Sequence, residues 1–217
     1  MQSVSSSRTS RRNRRVGDMM DPLRHVKFFA ATKHAGQKYG DGQPYTVHLA
    51  AVEEVLRRFP IESRDLRGQS ASLDVSVDDL LEAAWLHDVV EDTNTTLAEV
   101  EGMFGPRVAA LVWAVTNEPG PNRRARHALT YPKIRAQRGA TLLKLADRIA
   151  NVEAGGKLVE MYCKEYVDFT KGLRVWGEFP EFWAHLGNLL SPCLTEQHKT
   201  EIVAHVLGLK AASEERT

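Results

Sequence analysis

The stretch LLEAAWLHDVVEDTNTT occupies residues 80–96 and combines a fold signal with a concentration of chemically active side chains. Its first part repeats apolar residues at three- and four-residue spacing, which is typical of an amphipathic helix. In a continuous helix, His87, Asp88, Glu91 and Asp92 would share one patch in the last two turns. Three carboxylates at a helix C-terminus repel one another and oppose the macrodipole. A divalent cation would reverse that cost, whereas a solvated acidic surface is the alternative interpretation.

Helical periodicity continues through most of the chain and predicts an all-α fold. We find no run of alternating β-branched residues with the length of a strand. The glycine-rich connection GQKYGDGQP at residues 36–44 is a predicted loop, and Pro44 is expected to begin the next helix. The sequence therefore predicts a single helical bundle of roughly nine helices over residues 21–211, followed by a frayed C-terminus at residues 212–217.

The composition is that of an ordinary globular protein, with 217 residues of which 42% are hydrophobic and 26% are charged. No apolar run approaches the roughly 20 residues that a membrane-spanning helix needs, and no signal peptide is evident. We therefore expect a cytoplasmic protein without membrane contacts. Cys163 and Cys193 are too few for a disulfide framework and lack metal-ligand spacing, so they are expected to be buried or incidental thiols.

The N-terminal segment, residues 1–20, differs from the rest in composition. Its first 15 residues include five arginines and several serines but no acidic residue. Such a segment is predicted to be a disordered tail. It could contact nucleic acid or another polyanion, which is not expected of the remaining chain. The alternative is a non-essential extension or a misassigned start, because Met19 and Met20 directly precede the predicted domain.

Further polar residues lie on or beside apolar helix faces. His48 lies in the first turn of the second predicted helix, next to its apolar face. Asp147 and Asn151 lie four residues apart in the apolar segment TLLKLADRIANV and so point the same way. A buried carboxylate needs a partner, which an arginine or a metal would provide. Arg123 opens a cation-rich segment, residues 123–138, which suits either a surface helix face or one wall of a phosphate-binding pocket.

The histidines and aspartates follow the order H…HD…D, which resembles the HD superfamily of metal-dependent phosphohydrolases. Longer motifs are more specific and resemble the hydrolase domain of the RelA/SpoT family and its stand-alone small alarmone hydrolases. The resemblance covers about residues 28–173, without a synthetase domain. The motifs are HAGQKYGDGQPYTVH at residues 34–48, WLHDVVEDTNTT at residues 85–96, FG at residues 104–105 and LLKLADRIANV at residues 142–152.

The resemblance implies a role for each matching residue. Its implied metal ligands are His48, His87, Asp88 and Asp147, and the metal in this family is usually Mn²⁺. Two imidazoles with two carboxylates suit such a borderline ion. The resemblance assigns Glu91 and Asp92 to positioning and deprotonating the attacking water. It also implies nucleotide contacts for Arg123, Asn151 and Tyr166, and we add Lys38 and Tyr39 of the glycine-rich loop as candidate substrate-binding residues.

Two departures from the family pattern concern the substrate. Tyr39-Gly40 stands where the alarmone hydrolases have an Arg-Lys pair, and Glu153 stands where a basic residue is usual. The expected reaction is removal of the 3′-pyrophosphate of a guanosine alarmone such as ppGpp. An adenine alarmone or the 2′-phosphate of NADPH is an alternative substrate, and a non-catalytic nucleotide-binding regulator is a third interpretation. The oligomeric state stays open, a homo-oligomer included.

Overall fold

The computed structural model describes residues 21–62, 66, 75–175 and 177–208. Within these residues the chain forms nine helices of ten residues or more, one single helical turn and a two-stranded hairpin, which confirms the predicted all-α class. None of these helices is both long and apolar enough for a membrane crossing. In chain order the elements are α1 (Arg24–Lys33), β1 (Lys38–Tyr39), β2 (Gln43–Pro44), α2 (Thr46–Arg58), α3 (Val77–Leu86), α4 (Val89–Asp92), α5 (Leu97–Val115), α6 (Arg123–Arg135), α7 (Arg138–Glu153), α8 (Leu158–Leu173), α9 (Pro180–Leu190) and α10 (Glu196–Val206).

Helix α7 forms the centre of the bundle and contacts α2, α3, α5, α6, α8 and α9. Its apolar residues are fully enclosed, as Leu142 and Ala146 show with no exposed surface. A helix that is apolar almost all round is expected to be covered on every side. This burial carries Asp147 and Asn151 into the interior, where both side chains require polar partners.

The stretch that opened the sequence analysis is not one continuous helix, so that prediction is wrong in detail. Helix α3 ends at Leu86, His87 and Asp88 form a turn with right-handed backbone angles, and the single helical turn α4 follows. The side chain of His87, at the start of this turn, is buried and only 2% exposed. Glu91 and Asp92 remain exposed at the surface. The break thus separates the buried histidine from the acidic pair.

The glycine-rich connection forms a hairpin that the sequence did not predict. Strand β1 pairs antiparallel with β2, and Gly40 and Gly42 take positive φ angles of 52° and 93° in the turn. Glycine adopts such angles without steric cost. Pro44 lies in β2, so the prediction that it begins a helix is wrong, and α2 starts at Thr46. Two-residue strands are too short to leave an alternating pattern in the sequence.

The prediction of incidental thiols is also wrong, because Cys163 and Cys193 form a disulfide with their Cα atoms 6.1 Å apart. Cys163 lies on α8, and Cys193 lies in a short 3-10 turn that follows α9. The two residues are 30 positions apart, so only the packing of these elements reveals the pairing. The predicted boundary segments, residues 1–20 and 212–217, lie outside the described residues.

Candidate metal and catalytic site

The four predicted metal ligands converge from α2, α7 and the turn between α3 and α4. Nε2 of His48 lies 3.3 Å from Nε2 of His87. Oδ1 of Asp147 lies 3.4 Å and 3.7 Å from these two nitrogens, respectively. Oδ2 of Asp88 lies 2.9 Å from Nε2 of His87 and 3.7 Å from Nε2 of His48. One donor atom from each of His48, His87 and Asp147 falls within 4.8 Å of the others, as a shared metal ion requires.

Hydrogen bonds outside the cluster orient the donor atoms. Nδ1 of His87 lies 2.9 Å from the carbonyl oxygen of Ala84, which can only accept, so Nδ1 carries the hydrogen. Nε2 of His87 is then the nitrogen whose lone pair faces the cluster in the neutral ring. Partners of this kind commonly set the orientation of metal-binding histidines.

Two side chains of α7 donate to the Asp147 carboxylate, one to each of its oxygens. Nδ2 of Asn151 donates to Oδ1 over 2.6 Å, and Nζ of Lys144 donates to Oδ2 over 2.9 Å. Lys144 therefore supplies the cationic partner that a buried aspartate needs, a role for which the sequence indicated an arginine or a metal. Both partners leave Oδ1 facing the two imidazoles.

The acidic and basic groups in the cluster stabilise one another's ionised forms. Burial opposes ionisation of Asp147, but Lys144 and the two histidines outweigh it and lower the pKa of this carboxyl well below its usual range. Burial likewise opposes the charged forms of Asp88 and His87, yet their mutual attraction lowers the pKa of Asp88 and raises that of His87. Both carboxylates are therefore ionised at neutral pH and are available as ligands.

The donor set fits a divalent cation. Two imidazole nitrogens and two ionised carboxylates face a common centre, a composition that suits borderline divalent ions. Nδ1 of His48 is buried without a hydrogen-bond partner among the described residues, so the polar contacts of this ring are made through Nε2. The residues present thus fit the donor chemistry of a divalent-metal site.

Glu91 and Asp92 are each held by a residue outside α4. Both carboxylate oxygens of Glu91 accept hydrogen bonds from Asn117, over 2.7 Å from its backbone N–H and 2.9 Å from its side chain. Oδ2 of Asp92 accepts from Nε2 of Gln37 over 2.9 Å. These contacts give both carboxylates a defined direction, and their part in catalysis remains a prediction.

Tyr39, on strand β1 of the hairpin, lies against the cluster of the four predicted metal ligands. Its ring stacks on His48 with a centroid distance of 4.8 Å and an interplanar angle of 26°. Its hydroxyl donates to Oδ1 of Asn151 over 3.0 Å. Burial, with nearby Tyr162 and the cluster carboxylates, raises the pKa of Tyr39 to about 12, so the phenol stays neutral and donates. The neighbouring Lys38 is exposed on the same strand.

Two predicted substrate residues, Arg123 and Tyr166, contact residues other than the four predicted metal ligands. Nε of Arg123 donates to Oε1 of Glu165 over 2.5 Å, at the junction of α6 and α8. Tyr166 lies on α8 and is only 3% exposed. Its hydroxyl packs closely on Gly187 of α9, because a Cβ built on that glycine would lie 3.2 Å from the hydroxyl oxygen. Tyr162 lies one turn earlier on α8. It is close enough to Tyr39 to raise the pKa of that residue, and Asp147 in turn raises the pKa of Tyr162. Substrate contacts of Arg123 and Tyr166 stay predictions.

Sequence reasoning missed the residues that orient the site. They are Gln37, Tyr45, Asn117 and Lys144. Lys144 carries the only available signal, because a cation three residues before Asp147 can share its face of the helix. The other three lie in loops or at helix ends, where no periodic pattern indicates the direction of a side chain.

The HD-domain family model matches residues 28–165. The guanosine-3′,5′-bis(diphosphate) 3′-pyrophosphohydrolase MESH1 of Homo sapiens is 38% identical over 140 residues, which cover 63% of this chain and 71% of that protein. The protein of the same name from Danio rerio is 36% identical over 129 residues, which cover 57% of this chain and 63% of that relative.

Among solved structures, one described as a metazoan ortholog of SpoT that hydrolyses ppGpp superposes with a TM-score of 0.61 at 26% identity. The superposition covers 78% of this chain and 93% of that one. The match therefore includes nearly all of the solved relative.

Proposed function

The chain belongs to the HD-domain family, and from this premise we propose that it removes the 3′-pyrophosphate of a guanosine alarmone such as ppGpp, giving GDP and pyrophosphate. The observation that carries the proposal is the convergence of His48, His87, Asp88 and Asp147 on one centre. The relatives MESH1 of Homo sapiens and Danio rerio bear the name of this activity.

We propose that the four converging residues hold a divalent cation, with Mn²⁺ as the resident ion. When bound, such an ion supplies Lewis acidity that polarises a phosphoryl oxygen and lowers the pKa of water in the site. His48 and His87 would each give up the proton that the neighbouring carboxylates favour and contribute a nitrogen lone pair, and Asp88 and Asp147 would contribute charge that balances the cation. Lys144 keeps Asp147 ionised through its ion pair.

In this proposal Glu91 is the general base, assisted by Asp92. Asn117 fixes the Glu91 carboxylate through both oxygens, so each oxygen keeps one further lone pair with a constant direction, and we propose that one of these receives the proton of the attacking water. Glu91 takes one proton from the water, the water oxygen forms a bond to the phosphorus attached to O3′, the P–O3′ bond breaks, and O3′ takes a proton from solvent. Because Glu91 is exposed at the edge of the site, it can release the proton to solvent.

The hairpin and α7 are proposed to receive the nucleoside. Tyr39 presents an aromatic ring beside the cluster where the alarmone hydrolases have an arginine, and it lies within hydrogen-bond distance of Asn151, the residue proposed to meet the sugar. Lys38 and Arg123 are proposed to contact phosphates, and Tyr166 to line the nucleotide pocket. The substitution at Tyr39 is the reason to test other nucleotides beside ppGpp.

A nucleotide panel with added Mn²⁺ tests the proposal. The panel contains ppGpp, the corresponding adenine alarmone and NADPH, and product analysis measures release of pyrophosphate or phosphate. We expect fastest turnover of ppGpp with pyrophosphate as the product, and loss of turnover when a chelator removes the metal. Faster turnover of a substrate without a 3′-pyrophosphate would overturn the alarmone assignment. Metal binding without hydrolysis of any nucleotide would instead indicate a regulator.

A further inference from the structure

Two residues around the hairpin contact the site from outside the predicted set. Tyr45 precedes α2 and donates its hydroxyl hydrogen to Oδ2 of Asp88 over 2.5 Å. Gln37 precedes β1 and donates from Nε2 to Oδ2 of Asp92 over 2.9 Å. Asp88, which precedes α4, and Asp92, which ends it, thus each accept a hydrogen bond from a side chain in residues 37–45.

Tyr45 acts on the side of Asp88 that faces the cluster. The oxygen that accepts its hydroxyl is the same Oδ2 that lies 2.9 Å from Nε2 of His87. Because a carboxylate oxygen only accepts, the phenol supplies the hydrogen of this contact. Removing this donor leaves the carboxylate free to rotate away from the centre.

Gln37 and Tyr45 are tied to each other. The backbone N–H of Tyr45 donates to the carbonyl oxygen of Gln37 over 3.1 Å. Nδ1 of the buried His34 lies 2.7 Å from Oε1 of Gln37, and the His34 ring stacks on the Tyr45 ring at 4.7 Å and 19°. Because an amide oxygen only accepts, His34 donates, and this contact turns Nε2 of Gln37 toward Asp92.

We propose that Tyr45 and Gln37 are positioning residues with separate effects on the site. Tyr45 orients Asp88 and thereby sets the affinity for the divalent cation, whereas Gln37 orients Asp92 and thereby sets turnover. The second half rests on the proposed function, because it requires Asp92 to act on the attacking water. His34 supports both residues, through stacking in one case and through a hydrogen bond in the other.

Calorimetric titration with Mn²⁺ alone tests the Tyr45 half. Tyr45→Phe keeps the ring stacked on His34 and removes only the hydroxyl, and we expect the Kd for Mn²⁺ to rise about 10-fold or more, as is common for outer partners of metal ligands. Tyr131→Phe is the matched control, since it removes a buried hydroxyl that contacts His127 away from the cluster. Unchanged Mn²⁺ affinity in Tyr45→Phe would overturn the proposal that Tyr45 sets the affinity for the cation.

Steady-state kinetics tests the Gln37 half. Gln37→Met keeps the side-chain length and removes the donor, so we expect kcat to fall about 10-fold while KM and the Kd for Mn²⁺ stay within about 2-fold of wild type. Gln197→Met, which removes an exposed contact with Glu201 on α10, is the control. A kcat that does not change, or equal loss of metal affinity in Gln37→Met and Tyr45→Phe, would contradict separate effects.

His34→Phe separates positioning from general destabilisation. The phenyl ring retains the stack on Tyr45 but cannot donate to Gln37, so the variant should resemble Gln37→Met in kcat and wild type in Mn²⁺ affinity. Parallel losses of melting temperature, metal affinity and kcat in all three variants would indicate a merely structural role. A wild-type protein that binds Mn²⁺ but does not hydrolyse ppGpp would refute the proposed function, and the metal titrations would still decide the role of Tyr45.

Discussion

Tyr39 donates its hydroxyl hydrogen to Oδ1 of Asn151 over 3.0 Å, although the two residues are 112 positions apart in the chain. Asn151 in turn donates to Asp147, so this contact joins the hairpin to a predicted metal ligand. The same Tyr39 ring stacks on His48. The residue that departs from the family pattern is therefore in direct contact with His48, a predicted metal ligand, and with Asn151, which binds a second one.

Asp147→Asn is expected to abolish metal binding and turnover together. The variant removes the charged ligand and leaves the buried Lys144 without its anionic partner, so the Kd for Mn²⁺ should rise by more than about 100-fold, beyond the range typical of outer partners. Calorimetry and ppGpp hydrolysis measure the two effects. Asp168→Asn, at an exposed position on α8, should change neither. Retained turnover in Asp147→Asn would remove this residue from the mechanism.

Glu91→Gln should separate chemistry from metal binding. The amide cannot take a proton from water, so kcat is expected to fall by roughly 10²- to 10⁴-fold, the usual contribution of a general base. Because Glu91 contacts Asn117 and not the converging ligands, Mn²⁺ affinity should stay near the wild-type value. Glu160→Gln, which alters an exposed residue paired with Lys164, serves as the control. Wild-type kcat in Glu91→Gln would assign the base to another group.

Tyr39→Ala and Tyr39→Phe should differ in nucleotide KM. Loss of the ring removes a stacking surface, and base stacking on an aromatic side chain contributes about 1–3 kcal/mol, so KM should rise about 10-fold in Tyr39→Ala. Tyr39→Phe keeps the ring and should raise KM by less than about 3-fold. Steady-state kinetics across the nucleotide panel measures both. Equal KM values in the two variants would show that the ring does not contact the base.

His127 should make the protein less stable as the pH falls. Burial and then the nearby Arg123 lower the pKa of His127 to about 4 in the folded protein, against about 6.5 for an exposed histidine. Between these values the unfolded chain binds more protons, so stability is full above about pH 6.5 and declines toward pH 4.

The variant His127→Gln isolates this contribution. Urea unfolding at pH 7.5 and pH 5 should show that wild type loses about 1 kcal/mol more than the variant over that interval, with allowance for solvent screening of the ring. Titrations of other groups occur in both proteins and cancel in the comparison. An identical pH dependence would show that His127 does not titrate in this range.

The disulfide should contribute measurably to stability. In the chain-entropy description, a cross-link between positions 30 residues apart stabilises by about 3–4 kcal/mol. Cys193→Ser, or wild type with a reducing agent, should therefore melt at a lower temperature in calorimetric scans. Mn²⁺ affinity should not change, since neither cysteine contacts the metal ligands. A melting temperature that is insensitive to reduction would show that the bond does not form in solution.

Much of the helical framework was predictable because its signal is local. The apolar residues of α7 recur with the helical period, so burial of that helix followed from its own sequence, and with it the need of Asp147 for a partner. His48, His87 and Asp88 stood out for a similar reason, since their residue types and order matched a known metal-binding pattern. The hairpin was not predictable, because its two-residue strands carry no period.

The sequence by itself determined the helical class and identified the four residues that converge. Only the tertiary structure decided what orients them: Tyr45 on Asp88 is a contact across 43 positions, and Tyr39 on Asn151 is one across 112. Such contacts depend on how helices pack and how a glycine turn directs the hairpin, and neither is encoded in the periodicity of a single segment. Local patterns specify which faces are buried, whereas the direction of a polar side chain across a site is settled by the elements that meet there.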